Sequence, residues 1–294
     1  MSEARAMGFG LGAVLLWSTV ATVSKLSLDH STPLALVAIA TLTSWLFFAG
    51  IISARGRWPV LRAIPRRARN RALALGLLNP ALYYLVLFAA YDLLPAQDAM
   101  AINYSWGLTL ALLAVPILGQ QIKAPEIVAA FISYVGVFVI AIDGKLMALE
   151  FNSPAGVALA LASTLLWSLY WLFNRDTDLD AIEGLFLNFT GALPVLICAV
   201  VIQGSFATLA LPGVIGGLYL GLFEMGVSFI LWLNALRFTQ HTARISTLIF
   251  LSPPVSLLLI WQVLGEPISK STLVGLALIL IGLAALNSQR TKTA

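Results

Sequence analysis

Charge is what this chain has least of. Lys, Arg, Asp and Glu make up 10% of its 294 residues, against about 25% in a soluble domain. Apolar residues make up 60%, and the mean hydropathy is +0.94. A soluble globule of that composition would lack the polar surface to cover itself, so a polytopic membrane protein is expected. Cysteine is nearly missing: Cys198 stands alone, which excludes an intramolecular disulfide and a thiolate metal site and leaves a packing role. The two histidines, His30 and His241, fall at the ends of apolar runs, and no His/Asp/Glu spacing suits a metal. No nucleophile has a base at motif spacing, and Walker and dinucleotide fingerprints are absent, so no enzyme, cofactor or ATP-driven activity is expected. The pI near 9.4 does not point to nucleic acid, because the positive charge gathers in one loop without interleaved aromatics.

What is present is length of apolar sequence, arranged twice. About 20 apolar residues cross a bilayer as a helix, and ten such runs occur, at about 7–28, 33–53, 71–91, 96–118, 124–142, 154–174, 181–202, 212–236, 241–263 and 271–288. Leu15-Leu16-Trp17-Ser18 returns as Leu165-Leu166-Trp167-Ser168, and Leu118-Gly119-Gln120 is answered by Leu264-Gly265-Glu266 at an offset of 146, as Gly136 is by Gly282. Self-similarity of this kind sets the architecture. Two halves, 1–145 and 150–290, hold five runs each. Five is odd, so the second half enters from the opposite side and the repeats are inverted. The expected fold is therefore an all-α integral membrane protein, with ten transmembrane helices forming two inverted five-helix repeats around a central cavity. A signal peptide is not expected, because the run after Arg5 is about 20 residues rather than 7–15 and carries the Trp17 motif. With the N-terminus inside, 14 of the 17 Lys and Arg fall on one face, which predicts cytoplasmic termini in the inner membrane.

Polar groups within apolar runs are costly and tend to face a bundle interior or pathway. In the sixth run Ser163, Trp167, Tyr170 and Asn174 stack on one helix face, matched in the first by Ala13, Trp17, Val20 and Ser24. Packing of Trp17 and Trp167 against neighbouring helices is the competing explanation. In the fourth run Asn103 and Trp106 share a face, with Tyr104 rotated by about 100°. Gly107 aligns with Pro253 at the 146 offset, two helix-weakening residues at one depth, where a midplane site is expected. Asn79 and Tyr83 share a face in the third run, beside Pro80. In the eighth, Glu224 lies near the centre of its run behind a ridge of Gly213, Gly217 and Gly221, which allows close approach of another helix. It can serve as proton carrier, ligand for a substrate ammonium, or interhelical hydrogen-bond donor. Together with Ser246, these residues form the expected substrate-binding set: Trp17, Asn79, Tyr83, Asn103, Tyr104, Trp106, Trp167, Tyr170, Glu224 and Ser246. Contacts available there are individually weak, which predicts low affinity and broad selectivity.

The repeat plan, Leu-Leu-Trp-Ser opening each half, Leu-Gly-Gln/Glu closing the fourth and ninth runs, and Asn103-Tyr104-Ser105-Trp106 resemble the drug/metabolite transporter superfamily of EamA-like proteins. More narrowly they resemble YddG-type aromatic amino acid exporters. Gly107 stands where that subfamily usually has proline, and Gln120 where the superfamily commonly has Glu. The resemblance implies a basket of helices with the fifth and tenth at its periphery. It also implies a secondary transporter that exports amino acids, aromatic and other neutral ones, and related small metabolites by alternating access. Its partners would be a small-molecule substrate and the lipid bilayer, with no nucleic acid, and a monomer is compatible with the plan. Carriers of other metabolites and a non-transporting membrane scaffold or lipid-modifying enzyme are the alternatives; phosphate-bearing substrates should call for Lys or Arg inside the spans, and the runs carry none away from their ends.

Overall fold

The structure, a computed structural model, describes residues 3–119, 124–142, 153–174, 179–239, 245 and 248–291. All regular structure among them is helical. Seven helices are long and apolar enough to cross a membrane: α1 (Glu3–Leu28), α2 (Pro33–Ala54), α3 (Arg66–Leu93), α4 (Ala96–Leu118), α6 (Pro154–Asn174), α7 (Ala181–Gln203) and α8 (Leu211–Leu236). Shorter apolar helices lie within α5 (Ala124–Ala141), α9 (Leu248–Leu264) and α10 (Lys270–Thr291). Outward-facing residues are apolar, with Ile202 at 84% and Val201 at 71% exposure. Such a surface belongs in lipid, and the protein is multi-pass.

Local chemistry sets the helix ends. Thr32 caps α2 by accepting from the Ala35 N–H (3.2 Å), with Pro33 at the first position, where a missing N–H costs nothing. Asp180 caps α7 through the Ile182 N–H (3.2 Å). The Leu-Gly echo proves to be a pair of C-caps: Gly119 after α4 and Gly265 after α9 have φ of 66° and 67°, the left-handed turn that glycine adopts without strain.

Five helices are interrupted inside the bundle: α1 at Thr19, and α3, α8, α4 and α9 at places that match in pairs. In α3, Pro80 withholds an N–H and disfavours helical backbone at the residue before it, and Asn79 is extended (φ −145°, ψ 119°). In α8 the helix widens to a π turn over Leu220–Val227, which overlaps Leu77–Leu82 of α3 under the 146 shift. The break in α4 is a turn at Tyr104-Ser105, and α9 changes from a 3₁₀ turn (Leu248–Leu251) to an α-helix at Ser252, again 146 residues on. Neither break sits at the residue expected to cause it. Pro253 lies in the first turn of the segment Ser252–Leu259, where proline is tolerated. Gly107 is a packing residue: a Cβ there would stand 2.7 Å from Leu283 of α10.

Contacts across the halves are reciprocal. Ser18 of α1 donates to Ser252 of α9 (3.1 Å), and Ser168 of α6, its motif counterpart, donates to the Trp106 carbonyl of α4 (3.0 Å), 146 residues before Ser252. In the α5–α10 pair, the most extensive in the molecule, a Cβ on Gly136 would strike the Gly275 carbonyl and one on Gly282 the Ala129 carbonyl. Shifting 129 and 136 by 146 returns 275 and 282. Ser133 donates to the Ile279 carbonyl (3.1 Å) across the same shift. The glycine ridge of α8 lies on α2, where Gly217 meets Ile39 and Ser44 donates to the Gly221 carbonyl (2.6 Å).

Polar groups tie the two ends of the bundle differently. At one end Lys25 donates to the carbonyls of Tyr91 (2.8 Å) and Leu94 (2.9 Å) at the C-terminus of α3, which favours a cation. Gln97 donates to the Pro267 carbonyl (3.0 Å) and accepts from the Ser269 N–H (2.9 Å), Thr272 donates to Asp98 (2.6 Å), and the Ala96 N–H donates to Glu266 (3.2 Å). At the other end Arg57 pairs with Glu183 (2.6 Å) and Asp180 (3.4 Å), and Arg71 donates to the Phe173 carbonyl (2.5 Å).

Candidate functional site

A partly open cavity of about 360 Å³ lies between α1, α3, α4, α6, α8 and α9. These are three helices of the first half and their three counterparts in the second. Among the described residues, α2, α5, α7 and α10 contribute nothing to its wall. The five interrupted helices all border it. Matching irregularities in repeated helices mark a binding site in membrane transporters, since backbone freed from the helix ladder is tolerated only beside a cavity or inside protein.

The wall is aromatic. Trp17, Tyr83, Tyr104, Trp106 and Trp167 line it together with Asn103 and Glu224. The Trp167 ring is the hub, 4.6 Å from Tyr83, 5.7 Å from Trp171, 6.3 Å from Phe229 and 6.4 Å from Trp106. Trp17 lies 5.2 Å from Trp232 and 6.1 Å from the same Phe229, so one phenyl ring bridges the two motif tryptophans. Asn103 donates to Ser163 (2.9 Å), which fixes its amide at the break in α4.

Glu224 is the one acidic residue among the described residues of the wall. It is 9% exposed. Its Oε1 accepts from the Tyr84 hydroxyl (3.0 Å), while Oε2 has no partner among the described residues. Ser228 donates to the backbone carbonyl of Glu224. Two further polar atoms at the wall lack partners, the Trp171 indole N–H and the Ser256 hydroxyl.

Two expected site residues are placed elsewhere. Tyr170 is 1% exposed and turned from the cavity; its hydroxyl donates to Asn188 of α7 (2.8 Å), whose amide donates in turn to the Ala72 carbonyl (2.7 Å). Asn79 is buried at the break in α3 beside Tyr170 and is not on the wall. Tyr170 follows Trp167 by three residues, about 300° around α6, which turns it away from the cavity, towards α7, while Trp167 stays in. Ser246 lies outside the described residues. Conversely, the cavity includes Tyr91, Trp171, Trp232 and Ser256, which sequence reasoning did not select. Trp171 lies four residues after Trp167, so helical spacing from a residue already chosen would have found it.

The EamA-like transporter family pattern matches twice, over residues 4–142 and 154–288. The chain belongs to the EamA-like transporter family. An uncharacterized transporter of Bacillus subtilis, YvbV, is 24% identical over 94% of this EamA-like chain and 89% of its own length. Protein PecM of Dickeya dadantii is 27% identical over 97% and 94%. An uncharacterized transporter of Clostridium kluyveri is 30% identical, but over only 56% of this chain and 55% of its own. A solved crystal structure, 21% identical and matched over 99% of both chains, superposes with a TM-score of 0.65 and shares the fold.

Proposed function

We propose that this EamA-like protein is a secondary transporter of the inner membrane that exports amino acids, aromatic and other neutral ones, and related small metabolites by alternating access. The observation that carries this is the cavity itself: about 360 Å³, lined mainly by aromatic and apolar side chains, and bordered by equivalent helices from both halves. Its volume and lining suit a small molecule with a flat ring. The reading takes α1–α5 (within 1–145) and α6–α10 (within 150–290) as inverted five-helix repeats; the reciprocal serine and glycine contacts support it. Both termini are assigned to the cytoplasm on the Lys/Arg distribution. On that orientation the polar ties around Lys25 and Gln97 close the outer end, and the cavity reaches Leu236 and Ile249 near the inner one. Substrate then loads from the cytoplasm, and export requires the ties to part.

The test is counterflow in proteoliposomes. Vesicles preloaded with unlabelled phenylalanine should accumulate the labelled amino acid saturably, above protein-free vesicles. Folded protein with no flux above that background would leave the scaffold alternative standing.

A further inference from the structure

Resting on the reading of the cavity as a transport site, we propose that its preferred substrate class is an aromatic monocation, an arylalkylamine, over the zwitterionic amino acid. Four observations point there. Glu224 is nine-tenths buried on the cavity wall with Oε2 unpartnered, a buried acceptor waiting for a donor. No Lys, Arg or His stands among the described residues that line the cavity, and the apolar runs carry no Lys or Arg away from their ends. Third, the walls present the rings of Trp17, Trp106, Trp167 and Tyr83, whose faces are negative and attract ammonium groups. Finally, every polar donor on the described wall is neutral: the Asn103 amide, already donating to Ser163, the tyrosine hydroxyls, the Ser256 hydroxyl and the indole N–H groups, none of which carries the positive charge a carboxylate would need.

The charge balance follows. An ammonium that donates to Glu224 Oε2 satisfies the orphan acceptor and leaves the complex neutral in a medium where net charge is costly. A zwitterion placed the same way adds a second carboxylate to the site, which only neutral donors can meet. Its complex carries a net negative charge, so the same aromatic ring binds less well with the carboxylate than without it.

Four ligands with one ring and four charge states test this on the purified full-length protein: phenethylamine, phenylalanine, 2-phenylethanol and 3-phenylpropionate, followed by quenching of the cavity tryptophans. Phenethylamine should bind at least tenfold more tightly than phenylalanine, with 3-phenylpropionate weakest. In Glu224→Gln the preference for phenethylamine over 2-phenylethanol should vanish. Phenylalanine binding as tightly as phenethylamine, or an amine preference that survives in Glu224→Gln, overturns the proposal and leaves amino acid export intact. Saturable binding of none of the four to folded protein overturns both. Should Glu224→Gln fail to fold, the wild-type order of the four ligands decides by itself, and Glu224→Asp, which keeps the charge, should preserve that order.

Discussion

At the scale of single residues, Trp167 and Trp106, whose rings meet edge to face at 6.4 Å on the cavity wall, have different duties. Trp167 packs against the rings of Tyr83, Tyr170, Trp171 and Phe229 as well as Trp106, so it is both wall and core. Trp106 has one ring neighbour, Trp167. Truncating a well-packed aromatic to alanine costs about 3–5 kcal/mol. Trp167→Ala should therefore lower both flux and melting temperature, whereas Trp106→Ala should cut flux at least tenfold with a melting temperature within roughly 2 °C of wild type. Flux and detergent melting measured on the same preparations check this; equal loss of stability in both variants would assign Trp106 to packing. The Trp17/Trp167 echo was legible in the sequence because a motif repeated at fixed spacing needs no tertiary information. That Phe229 joins the two was not, since it depends on which rings of α8 come to lie against Trp17 and Trp167.

Among the elements, the α5–α10 pair isolates stability from transport. No described residue of either helix lines the cavity, and their contact depends on bare glycine backbone at Gly136 against the Gly275 carbonyl. A side chain there must push the helices apart, and overpacking costs about 1–3 kcal/mol. Gly136→Val is expected to lower the melting temperature while flux per folded molecule stays near wild type. Gly50→Val, at a glycine with open space around its missing Cβ, should change neither. A transport defect in Gly136→Val at unchanged stability would mean that this pair moves during the cycle. The Gly136/Gly282 echo was visible in the sequence; the partners, Gly275 and Ala129, were not, because carbonyls carry no residue-type signature.

For the whole molecule, the asymmetry between its two ends defines the conformer. Lys25 ties α1 to the end of α3 within the first half, and Gln97 ties α4 across the halves to the stretch between α9 and α10. Removing them with Lys25→Met and Gln97→Ala together should shift the population towards a state open at that end, each bond biasing the equilibrium only modestly. In a Cys198→Ala background, a cysteine replacing Met100, which is 2% exposed, should react severalfold faster with a membrane-impermeant thiol reagent applied from the Lys25 side. No acceleration would show that the ties do not hold the cavity shut.

Composition and spacing by themselves determined that this chain lives in a membrane, that it is helical, and that its halves echo one another. Each of those properties is written in residue type summed along the chain: apolar runs of bilayer length, and motifs at fixed offsets. They also selected Trp17, Tyr83, Asn103, Trp106, Trp167 and Glu224, because polar and ring residues are conspicuous in an apolar background. Tertiary structure alone decided which of the selected residues reach one space. Tyr170 and Asn79 are as conspicuous as Trp167, yet a rotation along α6 and the extended backbone at Asn79 send them to a buried cluster with Asn188. The role of Lys25 as a cap on α3, the position of the breaks in α4 and α9, and the unpartnered Oε2 of Glu224 depend on which carbonyl, side chain or void lies opposite, and residue order does not encode that directly.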